Sequence, residues 1–236
     1  STLFPYTTLF RSGLAGALEF HGRADHAARV GDEVGHAQHA APGEGGGIWL
    51  SYSPDLRYWG NADLVLGTED VPWANAKIGP AAPPVRTPKG WLTTFHAVDK
   101  DDARGKNGWE ETWKKRYTIG IMLLDLEDPS RIVGLYKSPL MAPEAPYETD
   151  GGFRNDVLFP GGMILEDSGE VKIYYGAADT AECLATAHVD DLLQLSVHGG
   201  GGHMVPLSAM RRLPPFPLMR LHSPVHQLPG DPLMPP

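Results

Sequence analysis

Two stretches of sequence that share one order of features decide the fold of this chain. Residues 75–99 read NAKIGPAAPPVRTPKGWLTTFHAVD, and residues 155–179 read NDVLFPGGMILEDSGEVKIYYGAAD. They align without a gap, and the identical pairs are Asn75/Asn155, Pro80/Pro160, Ala97/Ala177 and Asp99/Asp179. Each stretch runs from a turn rich in Pro or Gly into an aromatic strand that ends at an Asp. Repetition of short strands at this spacing predicts a radially repeated β architecture.

The sequence within and around the two repeats also predicts short strands. The predicted strands are IWLSY (48–52), YTIGIMLLDL (117–126), RIVGLY (131–136), DVLFP (156–160), GMILE (162–166) and LATAHV (184–189). Three outer turns are predicted at Pro54-Asp55-Leu56, Glu127-Asp128-Pro129 and Val189-Asp190-Asp191. Many strands separated by turns predict an all-β fold, either a sandwich, a barrel or a propeller. The internal repeat favours the propeller.

Residue usage divides the chain into three parts. Every Trp and every Lys lies between Trp49 and Lys172, whereas of the 10 His only His96 and His188 lie within residues 46–195. We therefore predict that residues 46–195 form the β domain. Residues 1–45 and 196–236 are predicted to be irregular flanks, either translated out of frame or disordered. Residues 1–12, STLFPYTTLFRS, resemble translated sequencing-adaptor DNA.

Bulk composition sets limits on partners. The net charge of the 236-residue chain is −9 without a basic stripe, which argues against nucleic acid as a partner. Cys183 is the single cysteine, which favours a reducing compartment such as the cytoplasm. No apolar run approaches the roughly 18 residues of a membrane span, so no membrane partner is predicted. The pattern contains no metal-ligand spacing, and it leaves the oligomeric state open.

Polar residues stand at several predicted strand ends beside aromatic ones. These residues are Lys77, His96, Tyr117, Arg154, Asn155 and Asp179. In a propeller, such positions line a central funnel, where carboxylates and amides bind sugar hydroxyls and aromatic faces stack on the ring. Each has an alternative: His96 as a hydrogen-bonded core residue, Lys77 as a solvated surface charge, and Asp99 or Asp179 as a turn cap. For Asp99 the turn-cap interpretation is favoured.

Five motifs in order resemble the C-terminal part of glycoside hydrolase family 130, the mannoside phosphorylase family. They are GIWLSYSPDLRYWG, NAKIG with PPVRTPKGWLTTFHAVD, YTIGIMLLDLEDPSRIVG, NDVLFPGG and IYYGAADT. The resemblance implies a five-bladed β-propeller, of which this chain holds about two to three blades. It also implies inverting phosphorolysis of a mannose-containing oligosaccharide, with inorganic phosphate as co-substrate and no other cofactor.

The resemblance carries over residue by residue to one set of binding positions. Positions that line the substrate and phosphate sites fall on Lys77, His96, Tyr117, Phe159 and Asp179, with Asn155 close by. The general-acid Asp of the family precedes the SYSPDL strand and has no recognisable counterpart here, so no catalytic residue is predicted. Two alternatives stay open: an inverting glycosidase of another five-bladed family, and a non-catalytic sugar-binding or structural β-repeat.

Overall fold

The computed structural model describes residues 18–21, 27–31, 46–53, 62–105, 114–198, 210–213 and 215. Within these ranges the fold consists of three antiparallel sheets. The predicted all-β class is therefore confirmed. In the described part of the chain, no helix has the length and apolar character that a membrane crossing needs.

Strands that follow one another in sequence pair within each sheet, except that the first and second strands of the second sheet both pair with the third. The first sheet contains β1 (Leu18–His21), β2 (Ala27–Gly31), β3 (Ile48–Ser53) and β4 (Ala62–Leu66). The second contains β5 (Lys77–Pro80), β6 (Val85–Thr87), β7 (Gly90–Lys100), β8 (Lys115–Leu124) and β9 (Ile132–Leu135). The third contains β10 (Leu158–Leu165), β11 (Glu170–Ala177), β12 (Ala181–His188) and β13 (Arg211–Leu213). The helices are a 3-10 turn at Thr68–Asp70, α1 (Pro146–Thr149) and α2 (Val189–His198).

The two sequence repeats form equivalent hairpins in the second and third sheets. The paired residues are Ile78–Ala97, Gly79–His96 and Pro80–Phe95 in one, and Leu158–Ala177, Phe159–Gly176 and Pro160–Tyr175 in the other. These pairs occupy the same positions of the aligned repeats, so sequence repetition and strand register coincide. After the shared Pro, the first strand breaks into β5 and β6 in one sheet, whereas β10 continues through a bulge between Pro160 and Gly162.

Parallel bridges join each sheet to the next at one recurring place. Gly46, just before β3, pairs with Lys77 at the start of β5, and Tyr117 of β8 pairs with Val157 just before β10. In both cases the chain at the second-to-last strand of one sheet meets the chain at the first strand of the following sheet. The sheets are therefore repeated units, each joined to the next at an equivalent position.

The apolar core lies between the sheets. Strand β7 has Phe95 in the cluster that joins the first and second sheets and Leu92 in the cluster that joins the second and third. Successive side chains of a strand point to opposite faces, so β7 is buried on both sides. Full burial of an aromatic or aliphatic side chain contributes roughly 1.5–3 kcal/mol. Strand β7 is therefore the centre of the described fold.

Two sequence predictions differ from the observed secondary structure. The predicted strands DVLFP and GMILE are one bulged strand, β10, rather than two. The predicted outer turn Val189-Asp190-Asp191 is instead the first turn of α2. Leu192, Leu193 and Leu195 are buried against the sheets, and an acidic first turn favours a helix N-terminus. A helix this short gives too few periods for the pattern to be recognised.

The flanks also differ from the irregular structure that was predicted for them. Strands β1 and β2 lie within residues 1–45, and β13 lies within residues 196–236. β13 pairs with β12 along Leu184–Leu213, Ala185–Arg212 and Thr186–Arg211. An open strand edge provides backbone partners regardless of side-chain type, which is why composition did not reveal these strands. The domain limits at 45/46 and 195/196 stay a prediction.

Candidate functional site

One end of the second and third sheets collects four of the predicted binding residues. Lys77 begins β5, His96 lies near the end of β7, Tyr117 is near the start of β8, and Phe159 is near the start of β10. Antiparallel pairing places the beginning of one strand beside the end of its neighbour. The Tyr117–Val157 bridge then brings the third sheet to the same place.

Three aromatic rings and one ammonium group form the centre of this site. The ring centroids of His96 and Tyr117 are 6.0 Å apart with the planes 23° apart, and those of His96 and Phe159 are 4.8 Å apart. The Tyr117 and Phe159 centroids are 6.5 Å apart. The Nζ atom of Lys77 lies 5.9 Å from the centroid of the Tyr117 ring, within range of a cation–π contact. Phe159 is 45 % exposed, so part of this aromatic side chain is open to solvent.

His96 is a buried and neutral imidazole. Its side chain is 2 % exposed, and Nδ1 lies 3.2 Å from the carbonyl oxygen of Pro80. Burial lowers the pKa of His96 to about 4, with the positive charge of Lys77 acting in the same direction and the Pro80 carbonyl opposing both. Among the described residues, none forms a hydrogen bond with Nε2 of His96. The imidazole therefore carries no charge near neutral pH.

A second polar group lies beside this cluster at the end of β11. The guanidinium of Arg154 is 3.3 Å from the carboxylate of Asp179, and each side chain is 36 % exposed. The backbone N–H of Arg154 donates to the Ala178 carbonyl at 3.1 Å. Asn155 accepts from the N–H of Gly152 through Oδ1 at 3.0 Å. The 152–155 segment is thus held against the turn that follows β11.

Backbone strain is concentrated at this same turn. Asp156, Ala178 and Asp179 have φ values of 60°, 52° and 50°, and they are the non-Gly residues with positive φ in the described chain. Asp tolerates this conformation, so the strain falls on Ala178, and such strain clusters at functional sites. The carbonyl of Asp156 accepts from the Tyr117 N–H at 2.9 Å, and that of Val157 accepts from Ala178 at 2.8 Å. Backbone bonds therefore join the Asp179 turn to the His96 cluster.

The six predicted binding residues fall into these two groups. Lys77, His96, Tyr117 and Phe159 come together, whereas Asn155 and Asp179 belong to the neighbouring turn. In the described structure, the carboxylate of Asp179 is paired with Arg154 and not with the His96 cluster. Binding by these six residues stays a proposal.

Asp99 has a structural role, but it lies within β7 and forms an ion pair in place of the turn cap that its sequence position favoured. Its carboxylate pairs with Arg104 at 2.7 Å, and the same guanidinium donates to the carbonyls of Asp99 and Lys114. Arg104 thereby holds the base of the loop that joins β7 to β8. Burial raises the pKa of the nearby Asp156 carboxyl, and the charges of Arg104 and Arg116 oppose that shift.

Sequence reasoning missed a buried network at the other side of the third sheet. Glu148 of α1 is 0 % exposed and accepts from the Tyr175 hydroxyl at 2.9 Å and from Arg212. The N–H groups of Glu144 and Ala145 also donate to it. The segment around Glu148 has no periodic pattern, and Arg212 lies in a predicted irregular flank, so no signal in the sequence linked them.

Comparison with known proteins identifies the family. The family model described as beta-1,4-mannooligosaccharide phosphorylase, of glycoside hydrolase family 130, matches residues 37–197. A 1,2-beta-oligomannan phosphorylase of Thermoanaerobacter sp. (strain X514) is 32 % identical over 145 residues, which cover 61 % of this chain and 44 % of that protein. A beta-1,2-mannobiose phosphorylase of Listeria innocua is 33 % identical over 151 residues, which cover 64 % of this chain and 38 % of that protein.

A solved structure agrees with these matches. The beta-1,2-mannobiose phosphorylase from Listeria innocua, in complex with beta-1,2-mannobiose, superposes with a TM-score of 0.61 at 28 % identity. The superposition covers 76 % of this chain and 46 % of that one, so the chain spans less than half the length of these relatives. Because the family model matches more than half of the residues, the chain belongs to glycoside hydrolase family 130.

Proposed function

We propose that this chain forms part of the binding surface of an enzyme that cleaves β-linked mannosides with inorganic phosphate. The products are mannose 1-phosphate, formed with inversion, and the shortened sugar. The observation that carries this proposal is the Lys77–His96–Tyr117–Phe159 cluster at the junction of two sheets in a family 130 chain. It combines a cation for phosphate with exposed aromatic surface for a sugar ring.

The proposal includes a five-bladed propeller of which the three sheets are successive blades. The recurring bridges Gly46–Lys77 and Tyr117–Val157 support it, because they join consecutive sheets in one way. Repetition of such a step around an axis closes a propeller and places equivalent strand ends at a central funnel. The His96 cluster then faces that funnel.

The role proposed for each side chain in binding follows from its chemistry. Lys77 attracts the phosphate anion, and Phe159 and Tyr117 contact apolar faces of the sugar. Asn155 and Asp179 bind hydroxyl groups through amide and carboxylate oxygens. No residue is assigned as general acid, and Asp99 is not a candidate because it is the strand-end Asp that follows His96 in β7.

The charge at the centre of the site supports phosphate rather than water as the attacking group. Lys77 is the cation next to His96, and it lies over the Tyr117 ring instead of in an ion pair of its own within the described structure. An attacking water carries no charge and gains less from such a cation than a phosphate anion does. Hydrolysis by the same surface is the competing outcome of the test.

Titration of the 236-residue chain with mannose 1-phosphate tests the proposed binding surface. This compound carries both the sugar and the phosphate, so we expect saturable binding that mannose and phosphate each weaken. Lys77→Ala removes the cation and should reduce affinity by about tenfold or more. Lys89→Ala is the matched control, since Lys89 is exposed at the opposite end of β7. Unchanged affinity in Lys77→Ala would contradict the proposal.

A chimera tests the reaction itself. Residues 46–198 would replace the matching segment of the Listeria innocua phosphorylase, which supplies the rest of its fold. We expect release of mannose 1-phosphate from beta-1,2-mannobiose only when phosphate is present. Release of free mannose without phosphate would show hydrolysis instead. A folded chimera without either product would contradict the proposed function.

A further inference from the structure

An exposed aromatic side chain at the turn after β11 has no part in the function proposed above. Phe153 lies two residues before Asn155 in the sequence, and 46 % of its surface is open to solvent. Single exposed apolar side chains are common on protein surfaces. Phe153 differs from these because its backbone and its ring are both fixed at the turn that contains Asp179.

Hydrogen bonds fix the backbone of Phe153 to the turn between β11 and β12. Its N–H donates to the Thr180 hydroxyl at 2.9 Å, and that hydroxyl donates to the Ala178 carbonyl at 2.9 Å. The N–H of Arg154 donates to the same carbonyl at 3.1 Å. On the other side, Gly152 packs so closely on Ala178 that an added Cβ atom would overlap it. The position of Phe153 is therefore set before any ligand binds, which lowers the entropy lost on binding.

The guanidinium of Arg154 connects the Phe153 ring to the carboxylate of Asp179. The Cζ atom of Arg154 lies 5.5 Å from the centroid of the Phe153 ring, within range of a cation–π contact. The same guanidinium is 3.3 Å from the Asp179 carboxylate. A hexose presents apolar C–H groups on its faces and hydroxyl groups at its edge. An aromatic ring with a guanidinium beside it matches both, because the ring packs on a face and the guanidinium donates to hydroxyl oxygens.

Exposure increases from the His96 cluster towards Phe153. His96 is 2 % exposed, Asp179 belongs to the exposed turn, and Phe153 is 46 % exposed. Phe153 is therefore on the solvent side of the candidate site. A sugar chain that starts at the buried cluster and passes Asp179 reaches Phe153 as it leaves the site.

We infer that Phe153 and Arg154 form a binding position for a third sugar unit of a β-linked mannooligosaccharide, so that the chain prefers oligosaccharides of three or more units to disaccharides. The inference rests on the proposed function and adds the length of the sugar. The first two units occupy the surface from the His96 cluster to Asp179. The third unit packs on the Phe153 ring and accepts hydrogen bonds from the guanidinium.

Calorimetric titration of the 236-residue chain with mannobiose and mannotriose tests the length preference. The sugars have whichever of the beta-1,2 and beta-1,4 linkages the chain binds more tightly. We expect mannotriose to bind about tenfold more tightly, because it covers the exposed part of the ring. Equal affinity for the two sugars would overturn the inference.

Substitution of the ring assigns this preference to Phe153. Phe153→Ala should remove the gain in affinity from the third unit, whereas Phe153→Tyr retains an aromatic ring and should preserve it. Ile164→Ala is the matched control, because Ile164 is also 46 % exposed and lies near the far end of β10. A gain that persists in Phe153→Ala would overturn the inference.

The hydroxyl of Thr180 provides a test of the fixed position of the ring. Thr180→Val removes the acceptor of the Phe153 N–H and should lower the affinity for mannotriose, relative to mannobiose, by about threefold or more. Thr180→Ser retains the hydroxyl and should preserve the ratio. An unchanged ratio in Thr180→Val would contradict the proposed role of a fixed ring.

Mannose 1-phosphate separates failure of this inference from failure of the proposed function. It has no third sugar unit, so its binding reports on the Lys77 cluster alone. Binding of mannose 1-phosphate without a preference for mannotriose would overturn the Phe153 position and leave the proposed function in place. Binding of neither ligand would contradict both. If Phe153→Ala weakens mannobiose and mannotriose equally, Phe153 contacts the first two units and the third-unit assignment is wrong.

Discussion

The carboxylate of Glu148 and the guanidinium of Arg212 form an ion pair inside the third sheet's core, although they lie far apart in sequence. Arg212 also donates to the carbonyl of Ala142 at 2.8 Å. The pair ties β13 to α1, and the carbonyl of Glu148 accepts from the N–H of Asp156 at 2.9 Å. The carbonyl of Asp156 in turn accepts from the N–H of Tyr117. Hydrogen bonds therefore connect the Glu148–Arg212 ion pair, called the clamp below, to the candidate site.

Loss of the clamp should destabilise the fold. Arg212→Ala leaves the charge of Glu148 buried with fewer donors, which should lower the free energy of unfolding by about 3 kcal/mol. Arg211→Ala is the matched control, because Arg211 is exposed in the same strand and should change it by less than about 0.5 kcal/mol. Urea unfolding followed by fluorescence measures both. Equal stability of the two variants would show that β13 does not dock on α1.

Acidification should destabilise the chain through His96. Above about pH 6.5 the imidazole is neutral in both the folded and the unfolded chain. Between that pH and the folded pKa of about 4, the unfolded chain binds a proton that the folded chain does not, so the free energy of unfolding falls. The loss is at most about 3 kcal/mol.

The contribution of His96 is measured as a difference between two proteins. Unfolding is followed at several values between pH 7 and pH 4 in the chain and in His96→Gln. The variant should lack this part of the pH dependence, since Gln does not titrate, while the carboxylates contribute equally to both. Parallel stability curves would mean that His96 is not buried as a neutral ring.

Removal of the carboxylate at the end of β11 should weaken sugar binding. Asp179→Ala leaves hydroxyl partners unpaired, and we expect a loss of about 1–3 kcal/mol in the binding free energy of mannose 1-phosphate. Asp125→Ala is the control, because Asp125 also pairs with an arginine, Arg131, at 2.8 Å. Calorimetry compares the two variants. If Asp179→Ala binds as tightly as the control, Asp179 is not part of the site.

The contact of Phe95 with Gly120 should tolerate no added methyl group. A Cβ atom placed on Gly120 would overlap the Phe95 ring, which stacks on Trp73 with centroids 5.9 Å apart. Gly120→Ala should therefore lower the free energy of unfolding by about 1–3 kcal/mol. Gly161→Ala is the control, since no atom lies within 4 Å of its added Cβ. A thermal unfolding midpoint equal to that of the control would contradict this packing.

The sequence by itself determined the class of fold and the equivalence of the two hairpins. Turn residues and strand alternation are local properties, so the residue pattern alone is enough to match Pro80 with Pro160. The register Ile78–Ala97 and Leu158–Ala177 agrees with that match. The family motifs likewise pointed to Lys77, His96, Tyr117 and Phe159, which meet in space.

Only the tertiary structure decided the features that depend on distant neighbours. The pairing of Asp179 with Arg154, the clamp between Glu148 and Arg212, and strand β13 result from contacts between separate segments. The neutral state of His96 likewise depends on burial and on its distance from Lys77. Protonation and ion pairing follow the electrostatic environment that packing creates, and a linear pattern of residues carries no record of that environment.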